Sequence, residues 1–187
     1  MSELGRERIY LYLERLSRAL RHYQNEVAFR HELSALQLQI LLSLLRVGKA
    51  TPGFLSKDLQ VSYPTISDAV RTLEKKGFVV ASLSGEDARQ RPVELSEMGF
   101  ILAQDLQKEV MRPWDLFSEQ EEETRTLVVL HELVARLFAN KALEEAPVCM
   151  TCCYFEKKGR NYFCHLLQKS MDAFELKAFC PDHKALS

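Results

Sequence analysis

Near the start of the chain, apolar residues fall at Ile9, Leu13, Leu16, Leu20, Tyr23 and Val27, with spacings alternating between four and three. A helix brings such positions onto one seam, and the heptad period suits packing along a second helix. The spacing predicts a first helix shared between subunits. Ser34 is placed to cap a second helix, ALQLQILLSLLRVG, which stops near Gly48. TPGFLSKDLQ (51–60) has a cap and an early proline and predicts a short helix. VSYPTISDAVRTLEKKG follows, with Ser62 as cap, Pro64 in the first turn and Gly77 as the stop. The period then changes. FVVASL (78–83) is β-branched and apolar, SGEDARQR (84–91) is a polar turn, and PVEL (92–95) alternates Val93 and Leu95 with polar neighbours. Ser96 opens a further helix, interrupted around Pro113. Ser118 and Glu121 read as a capping box for a last helix, which carries the apolar set Leu127, Leu130, Val134 and Leu137 and ends before Pro147.

The elements predict a mainly α chain with a small β-wing: a winged helix-turn-helix over about 34–95, flanked by long helices. The expected domains are 1–146 and a small C-terminal module over 147–187, where the chain becomes aromatic and cysteine-rich. Apolar residues make up 47% of the 187 and charged residues 27%, as in a globular protein with a sizeable core. No apolar run approaches the ~18 residues of a membrane span, so no membrane partner is expected. The first residues are charged and periodic, unlike a secretory leader, which makes the cytoplasm the expected setting.

The helix over 62–76 carries the function. Ile66, Val70 and Leu73 share its buried face. Pro64, Asp68, Arg71 and Lys75 lie on the other, flanked by Thr65, Ser67 and Thr72, and Ser62 and Tyr63 at the helix start belong to the expected DNA-binding set. Short hydroxyls and cations on an exposed helix suit the major groove of double-stranded DNA, with the first turns reaching base edges and phosphate. The hairpin adds Arg89 and Arg91 at a polar tip, where arginines enter a minor groove of strongly negative potential. Net charge is only −1, but its distribution is uneven. Residues 49–91 hold seven Lys/Arg against five Asp/Glu, and residues 118–146 hold three against seven.

VSYPTISDAVRTLEKKGFVV resembles the recognition helix and first wing strand of the MarR family, the multiple antibiotic resistance regulators. EDARQRPVELSEMG resembles that family's wing, with Asp87, Arg89, Leu95, Ser96 and Gly99 in the matching places. The resemblance spans about residues 5–143. It implies a homodimer built from the first and last helices, a palindromic operator, and control by a small-molecule or redox effector. It implies that Asp87 braces the wing and that Arg89 enters the minor groove. Ala88 stands where the family often has Arg. Asp68 stands where a cation is frequent and Arg71 where an acid is frequent, and these two are spaced to pair with each other.

The family pattern ends near Ala146, and all five cysteines lie beyond it. Cys149-x2-Cys152 and Cys180-x2-His183 resemble paired zinc knuckles, in which two intervening residues aim both side chains at one ion. Cys149, Cys152, Cys164 and Cys180 equally match the donor set of a 4Fe–4S cluster, and the run CMTCCYF among aromatics is similar to high-potential iron–sulfur proteins. The expected ligands are Cys149, Cys152, Cys164 and Cys180, with His183 able to replace one; Cys153 and His165 are spare. Zinc is the first expectation, an iron–sulfur cluster the second and metal-free redox thiols the third. A module this short rarely folds on burial alone, which gives a metal a structural role. No nucleophile–base set or phosphate loop appears, so no enzyme is expected. The competing expectation is a redox or electron-transfer protein that uses the winged helix as a dimer scaffold.

Overall fold

The computed structural model describes residues 3–81, 91–143, 147–159 and 161–185. Contacts divide the chain into one unit running to Asp115 and another starting at Leu116. By this measure the last long helix groups with the cysteine-rich segment, whereas the division at 146 and 147 followed composition.

In the first unit, α1 spans Glu3–Arg30 and α2 spans Ala35–Val47. The helix cap at Ser34 forms as the sequence predicts: its hydroxyl accepts from the Gln37 amide, and the Gln37 side chain accepts from the Ser34 amide. α2 is the centre of the core, with Leu38, Ile40, Leu41 and Leu44 fully buried. α1 joins that core only through its last turns. Val27 and Ala28 are buried, whereas Ile9, Leu16 and Leu20 of the predicted seam stay 45%, 53% and 36% exposed. Tyr23 Oη donates to the Glu109 carbonyl at 2.8 Å, and Arg30 and His31 both meet the Glu109 carboxylate. Burial acts to raise the Glu109 carboxyl, but hydrogen bonds from His31 and Arg30 outweigh it and hold the group below the usual range.

α3 spans Pro52–Asp58 and α4 spans Tyr63–Lys75, joined by a turn in which Gln60 takes a positive φ of 53°. The Asp58 carboxylate anchors α3 to α2, accepting from Ser43 at 2.7 Å and Arg46 at 3.1 Å. Ser56 Oγ donates across the turn to the Val61 carbonyl at 2.7 Å. Ile66, Val70 and Leu73 fix the roll of α4, since all three are buried. Three short antiparallel strands make the wing base: β1 (Lys49–Ala50), β2 (Val79–Ala81) and β3 (Val93–Leu95), in the order β1-β3-β2. Val79 pairs with Leu95 and Ala50 with Val93. The sequence reading did not include β1, which is only two residues long and has no period of its own.

α5 spans Glu97–Met111, capped by Ser96, whose hydroxyl accepts from Gly99 N and donates to the Gly77 carbonyl at 2.6 Å. Two glycines are required here. Gly77 ends α4 at a φ of 77°, and a Cβ on Gly99 would lie 1.8 Å from the Phe78 carbonyl oxygen.

In the second unit, α6 spans Gln120–Ala139. The capping box expected at Ser118 and Glu121 does not form. The cap is Glu119, without a side-chain bond, and Glu121, Glu122 and Glu123 crowd the first turn, where the helix dipole favours them directly. His131 is buried. Its Nδ1 meets the Leu127 carbonyl at 3.0 Å, while Nε2 has no partner among the described residues. A 3-10 turn over Cys149–Thr151 leads to the meander β4 (Phe155–Lys158), β5 (Asn161–Cys164) and β6 (Lys169–Met171). Its small core gathers Cys149, Tyr162, Met171, Ala173 and Leu176, with Val128 of α6 packed against it. Lys157 on β4 pairs with Glu132 on α6 at 3.1 Å. Among the described residues no helix is long and apolar enough to cross a membrane.

Candidate functional site

The outer face of α4 is built by its own periodicity. With Ile66, Val70 and Leu73 turned inward, Ser62, Pro64, Thr65, Asp68, Arg71 and Lys75 are exposed, and Tyr63 and Ser67 are half-buried. Ser62 stands at the N-cap but makes no bond to the helix amides; its hydroxyl meets that of Thr65 at 2.7 Å. The first-turn amides are therefore left uncapped by Ser62, as an anion-binding helix start requires. Arg71 and Asp68 form the pair their spacing implies, at 3.0 Å, with both side chains well exposed. Thr72 Oγ1 donates back to the Asp68 carbonyl at 2.9 Å and so is turned along the helix.

Arg91 lies at the foot of the wing and is exposed. A groove of about 430 Å³ runs between α4 and the wing strands, and Tyr63, Ser67, Arg71 and Arg91 all line it. Arg71 and Arg91 thus line the same groove from α4 and from the foot of the wing, and Glu74 lines it as well. Asp87 and Arg89 lie outside the described residues. A second, more open hollow of about 750 Å³ lies at the α4–β2 turn and α5, with Phe78, Met98, Ile101 and Leu102 as apolar floor and His31 and Asp105 as polar groups. The sequence reading missed this hollow, because its lining comes from three separate stretches of chain.

The cysteines converge in the second unit by backbone pairing. The Cys149 amide donates to the Lys177 carbonyl at 3.2 Å and the Cys180 amide to the Pro147 carbonyl at 2.9 Å, which sets Cys180 beside Cys149. The 3-10 turn brings the Cys152 amide onto the Cys149 carbonyl at 3.0 Å. Cys164 ends β5, in register with Phe155. Together Cys149, Cys152, Cys164 and Cys180 line one small cavity of about 30 Å³, walled also by Phe155 and Met171. No disulfide joins them. Burial pushes the Cys149 thiol up, the Lys177 amide at 3.2 Å from its Sγ opposes this, and the nearby Cys180, Cys164 and Cys152 add to the rise. Gathered thiolates repel one another unless a cation lies between them.

His183 does not line this cavity. Its Nε2 meets Thr151 Oγ1 at 2.9 Å, and that hydroxyl also lies 3.0 Å from the Val148 carbonyl, to which it donates. Cys153 is exposed. His165 is turned to Glu156 at 2.9 Å and packs edge-on against Phe163. Asp182 does line the cavity, a position the sequence reading passed over as a spacer within CPDH. Among the described residues, no three Cys, His, Asp or Glu side chains are gathered as ligands of one ion.

Residues 31–90 match the model of the MarR family. The fold is similar to that of a MarR family transcription regulator (22% identity, 77% of this chain and 100% of that one, TM-score 0.60). It is similar to MepR of S. aureus in complex with DNA (22%, 68% and 97%, 0.55) and to NadR in complex with 4-hydroxyphenylacetate (22%, 69% and 91%, 0.59). No curated protein matches the chain closely enough to count as a relative. The first unit thus has the winged-helix fold of these structures, with residues 31–90 similar to the MarR family model, and the likeness accounts for at most 77% of the chain in the three structures compared.

Proposed function

We propose that this chain is a homodimeric, sequence-specific DNA-binding transcription regulator of the MarR type, and not an enzyme, with a metal centre held by its C-terminal cysteines. The observation that carries the DNA reading is the outer face of α4: Thr65, Ser67, Arg71 and Lys75 on a helix rolled into place by three buried residues, with Arg91 across the groove. The first turn meets base edges in the major groove, and Arg71, Lys75 and Arg91 meet phosphate. For Arg89, outside the described residues, the minor-groove role rests on the family resemblance of the sequence alone. MepR bound to DNA, as a fold neighbour, supports this use of the fold.

The dimer reading rests on α1. A heptad seam in which Ile9, Leu16 and Leu20 remain exposed and Leu13 half-buried in one chain, together with exposed Val129 and Leu130 on α6, is apolar surface that a second copy covers. The twofold axis of such a dimer gives a palindromic operator. A small aromatic acid like the 4-hydroxyphenylacetate in complex with NadR has the hollow over Phe78, Met98 and Ile101 available to it as an effector site. The cytoplasm is the setting that suits DNA binding and unpaired thiols. The metal reading rests on four cysteines lining one cavity beneath a core too small to hold the module by burial alone. The competing electron-transfer reading has that same cavity in its favour, but leaves the hydroxyls and arginines of α4 without a use.

Selection of duplexes from a random library tests the proposal. The wild type enriches a twofold-symmetric motif, and Thr65→Ala or Ser67→Ala changes the enriched bases with less effect on bulk DNA affinity. Failure to enrich any motif overturns sequence-specific binding.

A further inference from the structure

We propose that Asp68, held in place by Arg71, reads a cytosine in the major groove and so fixes a C·G pair in each half-site of the operator. This deepens the DNA reading above and rests on it. The starting point is where α4 carries the residue. At about 100° per residue, Ile66, Val70 and Leu73 point within ~60° of one another, and all three are buried. Asp68 then lies nearly opposite the centre of that buried face. Pro64, Asp68, Arg71 and Lys75 form the outermost ridge of the helix, and the Asp68 and Arg71 side chains are 74% and 63% exposed. A helix that enters a major groove with its buried face against its own domain turns this ridge to the groove floor, where the base edges are. Asp68 stands about one and a half turns in from the helix start, within the part of such a helix that reaches bases.

The chemistry of the ridge narrows the base. Of these four side chains, that of Asp68 alone is an acceptor without a donor, so its carboxylate needs an N–H on the groove floor. The floor offers the amino groups of cytosine and adenine. Adenine sets its N7 acceptor beside the amino group, which repels a carboxylate, and cytosine does not. The guanine paired with that cytosine presents O6 and N7, acceptors that suit a guanidinium. The helix prepares both partners. Arg71 Nη1 donates to Asp68 Oδ1 at 3.0 Å, which orients the carboxylate and leaves its second oxygen for the cytosine amino group. The remaining N–H donors of the guanidinium are available to guanine or to phosphate. Thr72 Oγ1 donates to the Asp68 carbonyl at 2.9 Å, so this neighbour holds the backbone and leaves the carboxylate to Arg71. The pairing also offsets the repulsion between Asp68 and the phosphates flanking the groove. An anion on this ridge without such a use would weaken the hold on DNA at every sequence.

The test selects duplexes from a random library with the full chain as wild type, Asp68→Asn and Asp68→Ala, with folding checked by circular dichroism. Wild type is expected to require a C·G pair at one position of each half-site, and changing that pair in one half-site lowers affinity by roughly 5- to 150-fold. Asp68→Asn is expected to move the position to A·T, because an amide both accepts from adenine N6 and donates to N7. Asp68→Ala is expected to leave the position degenerate and the rest of the motif unchanged. Base identity is the readout, since removing an anion from the helix raises affinity for any sequence. A motif that both variants share with wild type overturns the proposal and leaves the DNA reading standing, with Asp68 serving only to balance Arg71 in solvent. Failure of all three proteins to enrich any motif overturns sequence-specific binding and this assignment with it. Should a variant lose its helical content, the wild-type motif decides: half-sites without a fixed C·G pair overturn the proposal.

Discussion

Replacing Arg91 by alanine isolates the wing's share of DNA binding, because Arg91 is exposed, lines the groove opposite Arg71 and takes no part in the core. Each phosphate contact contributes about 0.9 to the slope of log affinity against log salt. A dimer loses two contacts, so the slope flattens by roughly 1.8. Between about 50 and 200 mM salt the advantage of wild type over variant then shrinks about tenfold. Arg71 behaves differently, because Asp68 neutralises it at 3.0 Å with both side chains more than half exposed. Such a pair is worth at most about 1 kcal/mol, so DNA phosphate can compete for the guanidinium. Asp68→Asn frees that cation and removes an anion from the face, steepening the slope by roughly one to two units. Fluorescence anisotropy with a labelled duplex across a salt series measures all three proteins. Salt plots for Arg91→Ala that run parallel to wild type refute the placement of Arg91 on phosphate. An unchanged Asp68→Asn slope refutes the opposition of that pair to DNA.

Leu16→Glu places a charge in the exposed part of the α1 seam, and sedimentation is expected to show monomer at micromolar concentration with the helical content retained; an unchanged dimer counts against the seam. Gly99→Ala drives a methyl into the Phe78 carbonyl, with a loss of about 1–3 kcal/mol in denaturant unfolding, and a neutral result rejects the close approach. The Glu109 carboxyl is held below its ordinary range, so its contribution to stability is present above the unfolded pKa and lost as pH falls through the folded one. Glu109→Gln therefore narrows its deficit against wild type as acid is added below about pH 4.5, the difference at neutral pH staying under about 1 kcal/mol because the side chain is 39% exposed. A deficit that is constant with pH rejects the ionic role.

The helices of the first unit were legible because their signals are local. Ser34 and Ser96 cap as short polar residues do, and Ile66, Val70 and Leu73 repeat with the helical period. β1 was not legible, since two residues are a strand only through the partner Glu94–Val93. Ser118 misled because its capping-box pattern competes with three glutamates that satisfy the helix start by charge alone. In the site, the Arg71–Asp68 pair follows from spacing within one helix, but the bank that Arg91 forms with it depends on strand register. The cysteines show the same limit. Their clustering along the chain suggested a shared centre, yet only the backbone pairing of Pro147 with Cys180 and the hydroxyl of Thr151 decide that Cys180 faces the cavity and His183 does not.

Hydroxyl-radical footprinting on a selected duplex tests the central claim most directly. Two copies of α4 on a twofold dimer are expected to leave two symmetric protected patches whose centres lie one helical turn, ~34 Å, apart, with two chains bound per duplex. A single unsymmetrical patch, or no protection at micromolar protein and physiological salt, contradicts it.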